Sequence, residues 1–247
     1  VPTPRADHDD PATSTVSSHD RAELLARLAA ELQQAPGEAL TARTMVERTL
    51  DLLPGADCAS ITVRARHNRF VTLGATDDCA ALADALQYDL GQGPCLEAGD
   101  HVEWYRSGDV ATDPRWPVWG PRAAGELGVR SLLSVRLVGE TDSLGALTVY
   151  ARSAGRFGDR SDIDLLLLFA THATIALAAA REVSGLQTAV HSRHVIGMAQ
   201  GVLMERYDLD SDQAFALLRR YSNALNVKVH DVCEDIAATR RLPVLPD

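Results

Sequence analysis

The sequence predicts an α+β fold: an antiparallel sheet flanked by helices, then a long dimerising helix, then a group of three helices at the C-terminal end. Three observations carry this. Strand-like runs come in pairs joined by short turns between residues 59 and 150. From residue 161 the apolar spacing changes to threes and fours, and no proline follows until Pro243. Breaks at Tyr207-Asp208-Leu209 and Asn226-Val227-Lys228 then divide the helical end.

Residues 1–20 are rich in Pro, Thr, Ser, Asp and His and lack an apolar core, which reads as a disordered tail and not as a secretory signal. Leu24, Leu25, Leu28 and Leu32 share one face of a helix over 21–34, which Pro36-Gly37 ends. A second helix over 39–53 stops at Pro54-Gly55. Strands are expected at 59–65 and 70–75, with His67-Asn68-Arg69 between them as a hairpin connection. A helix over 77–88 is broken by Gly91-Gln92-Gly93-Pro94. Short strands at 101–105 and around Val110 precede the loop Asp113-Pro114-Arg115-Trp116-Pro117 and a helix over 118–127. Strands over 131–138 and 144–150 follow, with 139–143 as their turn. The pattern gives one sheet over about 38–160 with helices on a face. With its flanking helices this domain spans 21–180, and a second spans 181–247.

Composition limits the function. The formal net charge is −10, so an evenly basic nucleic-acid coat is excluded. Residues 186–247 carry seven basic and eight acidic side chains, a net charge of −1, which leaves −9 for residues 1–185. If the chain meets a polyanion, it does so through its C-terminal quarter. The four cysteines, Cys58, Cys79, Cys95 and Cys233, are too few and scattered for a disulfide framework and form no CxxC pair. Reduced thiols in a cytoplasmic protein fit best. The apolar run over 165–180 reaches about 24 Å as a helix, short of a bilayer core of about 30 Å, so it is expected to be a buried helix and not a membrane span.

Leu165, Leu168, His172, Ile175, Ala179, Glu182, Leu186 and Ala189 form a helical seam that nothing in the chain is obliged to cover. It predicts a homodimer along 164–190, with Gly185 as the soft point of the helix. Residues 186–206 continue that helix, with Ala189, Ile196, Ala199, Leu203 and Tyr207 as a core stripe. Gly197 and Gly201, four apart, strip one face to backbone at a cost of about 1 kcal/mol each, so either a neighbouring helix or a ligand must come close there. Asp210 and Gln213 have the spacing of a capping box. The helix they start runs to Leu225, with Ala214, Leu217, Leu218, Tyr221 and Leu225 inward and Phe215, Arg219, Ser222 and Asn226 in another row. A last helix covers 228–241. Arg219, Ser222, Asn226 and Lys228, the only lysine in the chain, offer a guanidinium, a hydroxyl, an amide and an ammonium. That mixture suits phosphates and base edges, although a solvated face with Asn226 as a helix cap has the same spacing.

The run from Arg193 through Ile196, Ala199-Gln200-Gly201 and Leu203-Met204, then Ala214-Phe215, Leu218-Arg219 and Ser222, then Asn226 and Lys228, resembles an ANTAR domain over about 186–241. The resemblance implies an RNA-binding module that recognises paired stem-loops in leader RNA, as a dimer, and antiterminates transcription. It implies Arg193, Gln200, Gly201, Arg219, Ser222, Asn226 and Lys228 as the RNA-binding set. Gln200 stands where many relatives have Lys, and Cys233 where Ala is common.

Residues Gly91 to Ala98, then Asp113-Pro114-Arg115-Trp116 and the strands 131–137 and 144–150, look like a GAF domain of the actinobacterial type over about 38–180. GAF domains bind many small molecules and some bind none, so the resemblance implies a sensor without naming its ligand. Cys95 and Trp116 are the candidate sensor-pocket residues. Cys95 reads either as a thiolate at a helix N-terminus or as a small packed residue. Trp116 and Trp119 either wall a pocket or staple a loop. Glu97 and Asp113 have the residue types of an acid–base pair, but nothing fixes their separation. His67, His101 and His172 lack metal spacing, and His191 and His194 lack a third ligand, so no metal is expected. No catalytic residue is assigned, because no P-loop, G-x-S-x-G or H-E-x-x-H occurs. The leading reading is a sensing RNA-binding regulator. The alternatives are a DNA-binding regulator built on short helices and an enzyme acting through the GAF pocket.

Overall fold

The computed structural model describes residues 18–32, 37–65, 69–97, 102–139 and 143–244. The chain divides into two compact units, residues 1–180 and 181–247.

The first unit is an antiparallel five-stranded sheet in the order β2-β1-β5-β4-β3. Its strands are β1 (Cys58–Arg64), β2 (Phe70–Ala75), β3 (Trp104–Ser107), β4 (Ser131–Val138) and β5 (Ser143–Ala151). Helices α1 (Ser18–Leu32), α2 (Glu38–Leu52), α3 (Asp78–Leu90), α4 (Pro94–Glu97) and α5 (Trp119–Leu127) surround it. The helix α6 runs from Arg160 to Tyr207. This is the α+β layout the sequence predicts, with one correction: helices cover both faces of the sheet. On one face Ile61, Val63, Leu133, Val135, Leu147 and Val149 pack with Leu28 and Leu32 of α1, Met45 of α2, and Leu166 and Phe169 of α6. The alternate residues of the same strands point the other way, where Leu132 and Tyr150 pack with Ala80 and Ala83 of α3, Trp119 of α5, and Trp116.

Other expectations shift in detail. Residues 18–20 are helical and not part of a tail, while 1–17 lie outside the described residues. So do His67, His101, and parts of the two hairpin connections. Val110 does not open a strand. It starts a 3-10 turn (Val110–Thr112), because the Asp109 carboxylate accepts from the backbone N–H of Ala111 and bends the chain there.

Helix α6 holds an 18-residue window of mean hydropathy 1.9, so by length and composition it could cross a membrane. Half of that window is buried within the protein, and Leu166, Phe169, Ala170, Ala173 and Leu177 are core residues. Burial, and not shortness, argues for a core helix.

The second unit packs Val195, Ala199 and Leu203 of α6 against Ala214 and Leu218 of α7 (Ser211–Leu225) and Val232, Cys233 and Ile236 of α8 (Val229–Thr239). The expected stripe holds at Ala199 and Leu203, with Ile196 packed against the core, and fails at its two ends. Val195 is buried, while Ala189 is exposed and Tyr207, the last helical residue, is 44% exposed. Asp208 takes a left-handed φ of 53° and ends α6. The Asp210–Gln213 capping box then starts α7, with both reciprocal bonds formed.

Candidate functional site

In the first unit the register of the sheet builds a buried polar layer. Ser60 is opposite Thr148, Thr148 is opposite Ser134, and Thr62 is opposite Thr72. Helix α3 lays Asp84, Gln87 and Tyr88, spaced by three and four on one helical face, over these hydroxyls. Asp84 is fully buried. Its Oδ1 accepts from the Tyr150 hydroxyl at 2.6 Å and from Ser60 at 3.0 Å, and its Oδ2 accepts from Thr72 at 3.0 Å and Thr62 at 3.3 Å. A buried carboxylate without donors would be costly, and these four offset the cost. Burial still pushes the Asp84 carboxyl above its ordinary range, with the hydroxyl bonds opposing.

Cys95, on α4, completes this layer. Its N–H donates to Gln87 Oε1 at 2.9 Å, and Gln87 Nε2 donates to the Tyr150 hydroxyl at 3.1 Å and lies 3.4 Å from Cys95 Sγ. Gly93, with φ of +144°, permits this; a Cβ there would strike the Gln87 side chain. Burial and the neighbouring Asp84 push the thiol up to about 12, away from thiolate, and Cys95 is 1% exposed, as a packed residue is. Trp116 is also buried, its indole N–H donating to Glu97 Oε1 at 2.9 Å and its ring edge-on to Trp119 with centroids 5.8 Å apart. It staples the loop to α4. Glu97 is held by that indole, and the Arg115 guanidinium pairs with Asp113 and keeps its carboxyl at about 2, so each acid is engaged by a different partner.

Asp84 and its hydroxyl partners were not anticipated. A signal was available: Ser60, Thr62, Ser134 and Thr148 alternate with apolar residues, as solvent-facing residues also do. Asp84, Gln87 and Tyr88 on one helical face could have shown that this polar face is covered.

In the second unit the expected RNA-facing residues fall at separate places. Arg193 is exposed on α6. Gln200 is half-buried, and its Nε2 donates to the Ser211 carbonyl at 3.1 Å, tying α6 to the start of α7. Gly197 and Gly201 are exposed, and a Cβ at either would meet nothing within 4 Å, so packing within the chain is not what these glycines serve. Gly201 opens onto a cleft of about 550 Å³ between α6 and α8, lined also by Met198, Val202, Arg206 and Arg240. The two arginines there were not anticipated.

Arg219 is exposed on α7. Ser222 is turned inward: only 8% exposed, it donates to the Val227 carbonyl at 2.6 Å. Asn226 is the C-cap of α7 in the left-handed conformation, with φ of 54°. Lys228 is the N-cap of α8, and both it and Asn226 are exposed. The start and end of α7 are roughly 20 Å apart at 1.5 Å per residue. Gln200 therefore serves one end of α7 and the Asn226–Lys228 corner the other, with Arg219 between.

A family model for the GAF domain matches residues 35–178, and one for the ANTAR domain matches residues 184–236. The chain belongs to the GAF family and carries an ANTAR domain. Among solved structures, the GAF–ANTAR chain is similar to the GAF domain of an Acinetobacter phosphoenolpyruvate-protein phosphotransferase, at 17% identity and a TM-score of 0.55 over 68% of this chain and 98% of that one. It is similar to free methionine-R-sulfoxide reductase from Neisseria meningitidis, at 16% identity and a TM-score of 0.54 over 69% of this chain and 96% of that one. It also resembles the photosensory core module of the Stigmatella aurantiaca phytochrome, at 11% identity and a TM-score of 0.55, over 85% of this chain and 46% of that one. At these identities the likeness is one of fold. No curated protein matches the chain. A GAF sensor domain joined to an ANTAR domain is the organisation of a signal-responsive regulator.

Two side-chain groups have metal-ligand chemistry among the described residues. In Cys58, Asp77 and Cys79 the donors are committed. Asp77 accepts from the Ala80 N–H to cap α3, the Cys79 thiol lies 3.6 Å from the Leu127 carbonyl, and burial pushes both thiols up. The other group, His191, His230 and Glu234, is less engaged.

Proposed function

We propose that the protein is an RNA-binding regulator that recognises paired stem-loops in leader RNA and antiterminates transcription in response to a signal read by the GAF unit. The observation that carries this is the exposed set Arg219, Asn226 and Lys228, on and just beyond α7 within the ANTAR match. A guanidinium and an ammonium can bind phosphates, and the amide can read the edge of an unpaired base. Arg193, Gln200 and Gly201 extend the surface along α6, and Ser222 supports it from inside. With a net charge of −1 over residues 186–247, binding rests on this local patch and on avidity between two heads.

Two copies would pair through α6. Leu168, Ile175, Leu186 and Val190 are 50%, 59%, 61% and 68% exposed, an apolar stripe that a second copy would cover. The residue boundaries of the working parts are 21–180 for the sensor and 181–247 for the RNA head, in a cytoplasmic protein that does no chemistry on its ligand. The GAF unit is where a small molecule would be sensed, and its fully buried layer around Asp84 and Cys95 would have to open to admit one.

Titration of the full chain against a paired-hairpin RNA and a DNA duplex of equal length tests the reading. Tight, salt-dependent binding of the hairpins alone is expected. Preference for the duplex would overturn it in favour of a DNA-binding regulator.

A further inference from the structure

We propose that His191, His230 and Glu234 form a site for a divalent transition metal of the zinc class that pins α6 to α8. His230 and Glu234 are one turn apart on α8, and His191 comes to them from α6. The histidine rings meet edge-on, with centroids 5.7 Å apart and an interplanar angle of 64°. One donor atom from each of the three residues lies within 4.8 Å of the others.

Two features point to a metal and not merely to a hydrogen-bonded pair. His230 Nε2 lies 3.4 Å from Glu234 Oε1, long for a charge-assisted hydrogen bond. With metal–ligand bonds of about 2.0–2.1 Å in a tetrahedral shell, neighbouring ligand atoms lie about 3.3–3.4 Å apart, so this pair already has the spacing of one edge. The second feature is His230 Nδ1, which is buried with no hydrogen-bond partner. No acceptor holds a proton on Nδ1, and the Nε2 contact with Glu234 is long, so no strong hydrogen bond fixes the tautomer and Nε2 can present its lone pair to a metal.

His191 is exposed and Glu234 is 55% exposed, so a small side-chain rotation closes the third bond at little cost and solvent supplies the fourth. Two imidazoles and a carboxylate suit zinc better than the all-oxygen shells of calcium or magnesium. His230 is two residues from Lys228 and His191 two from Arg193, so the ion would brace the helices that carry those side chains. Zinc binding itself does not depend on the proposed RNA reading.

The test is titration of the chelator-treated full chain with zinc alone, followed by calorimetry and elemental analysis after dialysis. One zinc per chain is expected, with a higher melting temperature. His191→Ala should weaken binding by more than the roughly 10–100-fold that a supporting neighbour would cost. His191 is exposed, so this variant should fold, and unchanged far-UV circular dichroism verifies that. Cys58→Ser with Cys79→Ser should keep the zinc. Absence of zinc binding, or binding that survives His191→Ala but disappears with the cysteines, would overturn the proposal.

Discussion

The Ser222 hydroxyl donates to the carbonyl oxygen of Val227 across 2.6 Å, closing the chain around Asn226 at the exit of α7. The Val227 N–H returns a bond to the Ser222 carbonyl at 3.1 Å, and Asn226 between them takes a left-handed φ of 54°. The corner that presents Asn226 and Lys228 is therefore built by Ser222, a residue that does not itself face solvent.

Ser222→Ala should destabilise the second unit by about 1–2 kcal/mol, the cost of a lost neutral hydrogen bond and a carbonyl left short of its donor. Asn226→Ala should also cost about 1–2 kcal/mol, because a left-handed residue with a Cβ is strained, whereas Asn226→Gly should cost little. Urea denaturation of the three variants checks this order. Equal stability of Ala and Gly at 226 would contradict it.

Asp84 predicts a pH dependence for the sensor unit. Burial raises its carboxyl above the ordinary 3.8. Such a group gives stability that is fully present below its unfolded pKa and is lost as pH rises through its folded pKa. Wild type should therefore lose stability relative to Asp84→Asn as pH is raised from about 4 toward neutrality. Denaturation curves at pH 4 to 8 measure the difference, and a constant offset would contradict the assignment.

Charge placed in the exposed stripe of α6 should break the proposed dimer. Leu168 and Ile175 are 50% and 59% exposed, so Leu168→Glu with Ile175→Glu should leave each unit folded. Light scattering should then give the mass of a single chain. A dimer of unchanged mass would place the interface elsewhere.

Helix α6 is continuous through Gly185, and a Cβ there would meet nothing within 4 Å. Gly185→Ala should stabilise the helix by roughly 1 kcal/mol and stiffen it. If the signal travels by bending at this point, the variant should bind hairpin RNA with less response to whatever engages the sensor. A full response would show that Gly185 is not the transmitter.

What the sequence revealed depended on how local the physics was. The capping box of Asp210 and Gln213 needs residues three apart, and the structure contains it as read. Ser222 shares its spacing with exposed residues, and only the return of the chain at Val227 turns it inward. The alternation of Ser60, Thr62 and Thr148 with apolar neighbours gives the strands a polar face that, from sequence alone, has the pattern of a solvated one. Helix α3, distant in sequence from Thr148, covers that face and buries Asp84. His230 and Glu234 could be read together as an i,i+4 pair, but their meeting with His191 depends on how α6 and α8 pack.

Arg219 gives the most direct test of RNA binding by this surface. Wild type, Arg219→Ala and Asn226→Gly should be titrated against one paired-hairpin RNA at several salt concentrations. Arg219→Ala should lose roughly 1.5–3 kcal/mol of binding and lower the salt slope by about one, because a phosphate contact releases counterions. Asn226→Gly should lose less, keep the slope, and discriminate less between loop sequences. Curves for Arg219→Ala that superimpose on wild type at every salt concentration would contradict the RNA assignment of this surface.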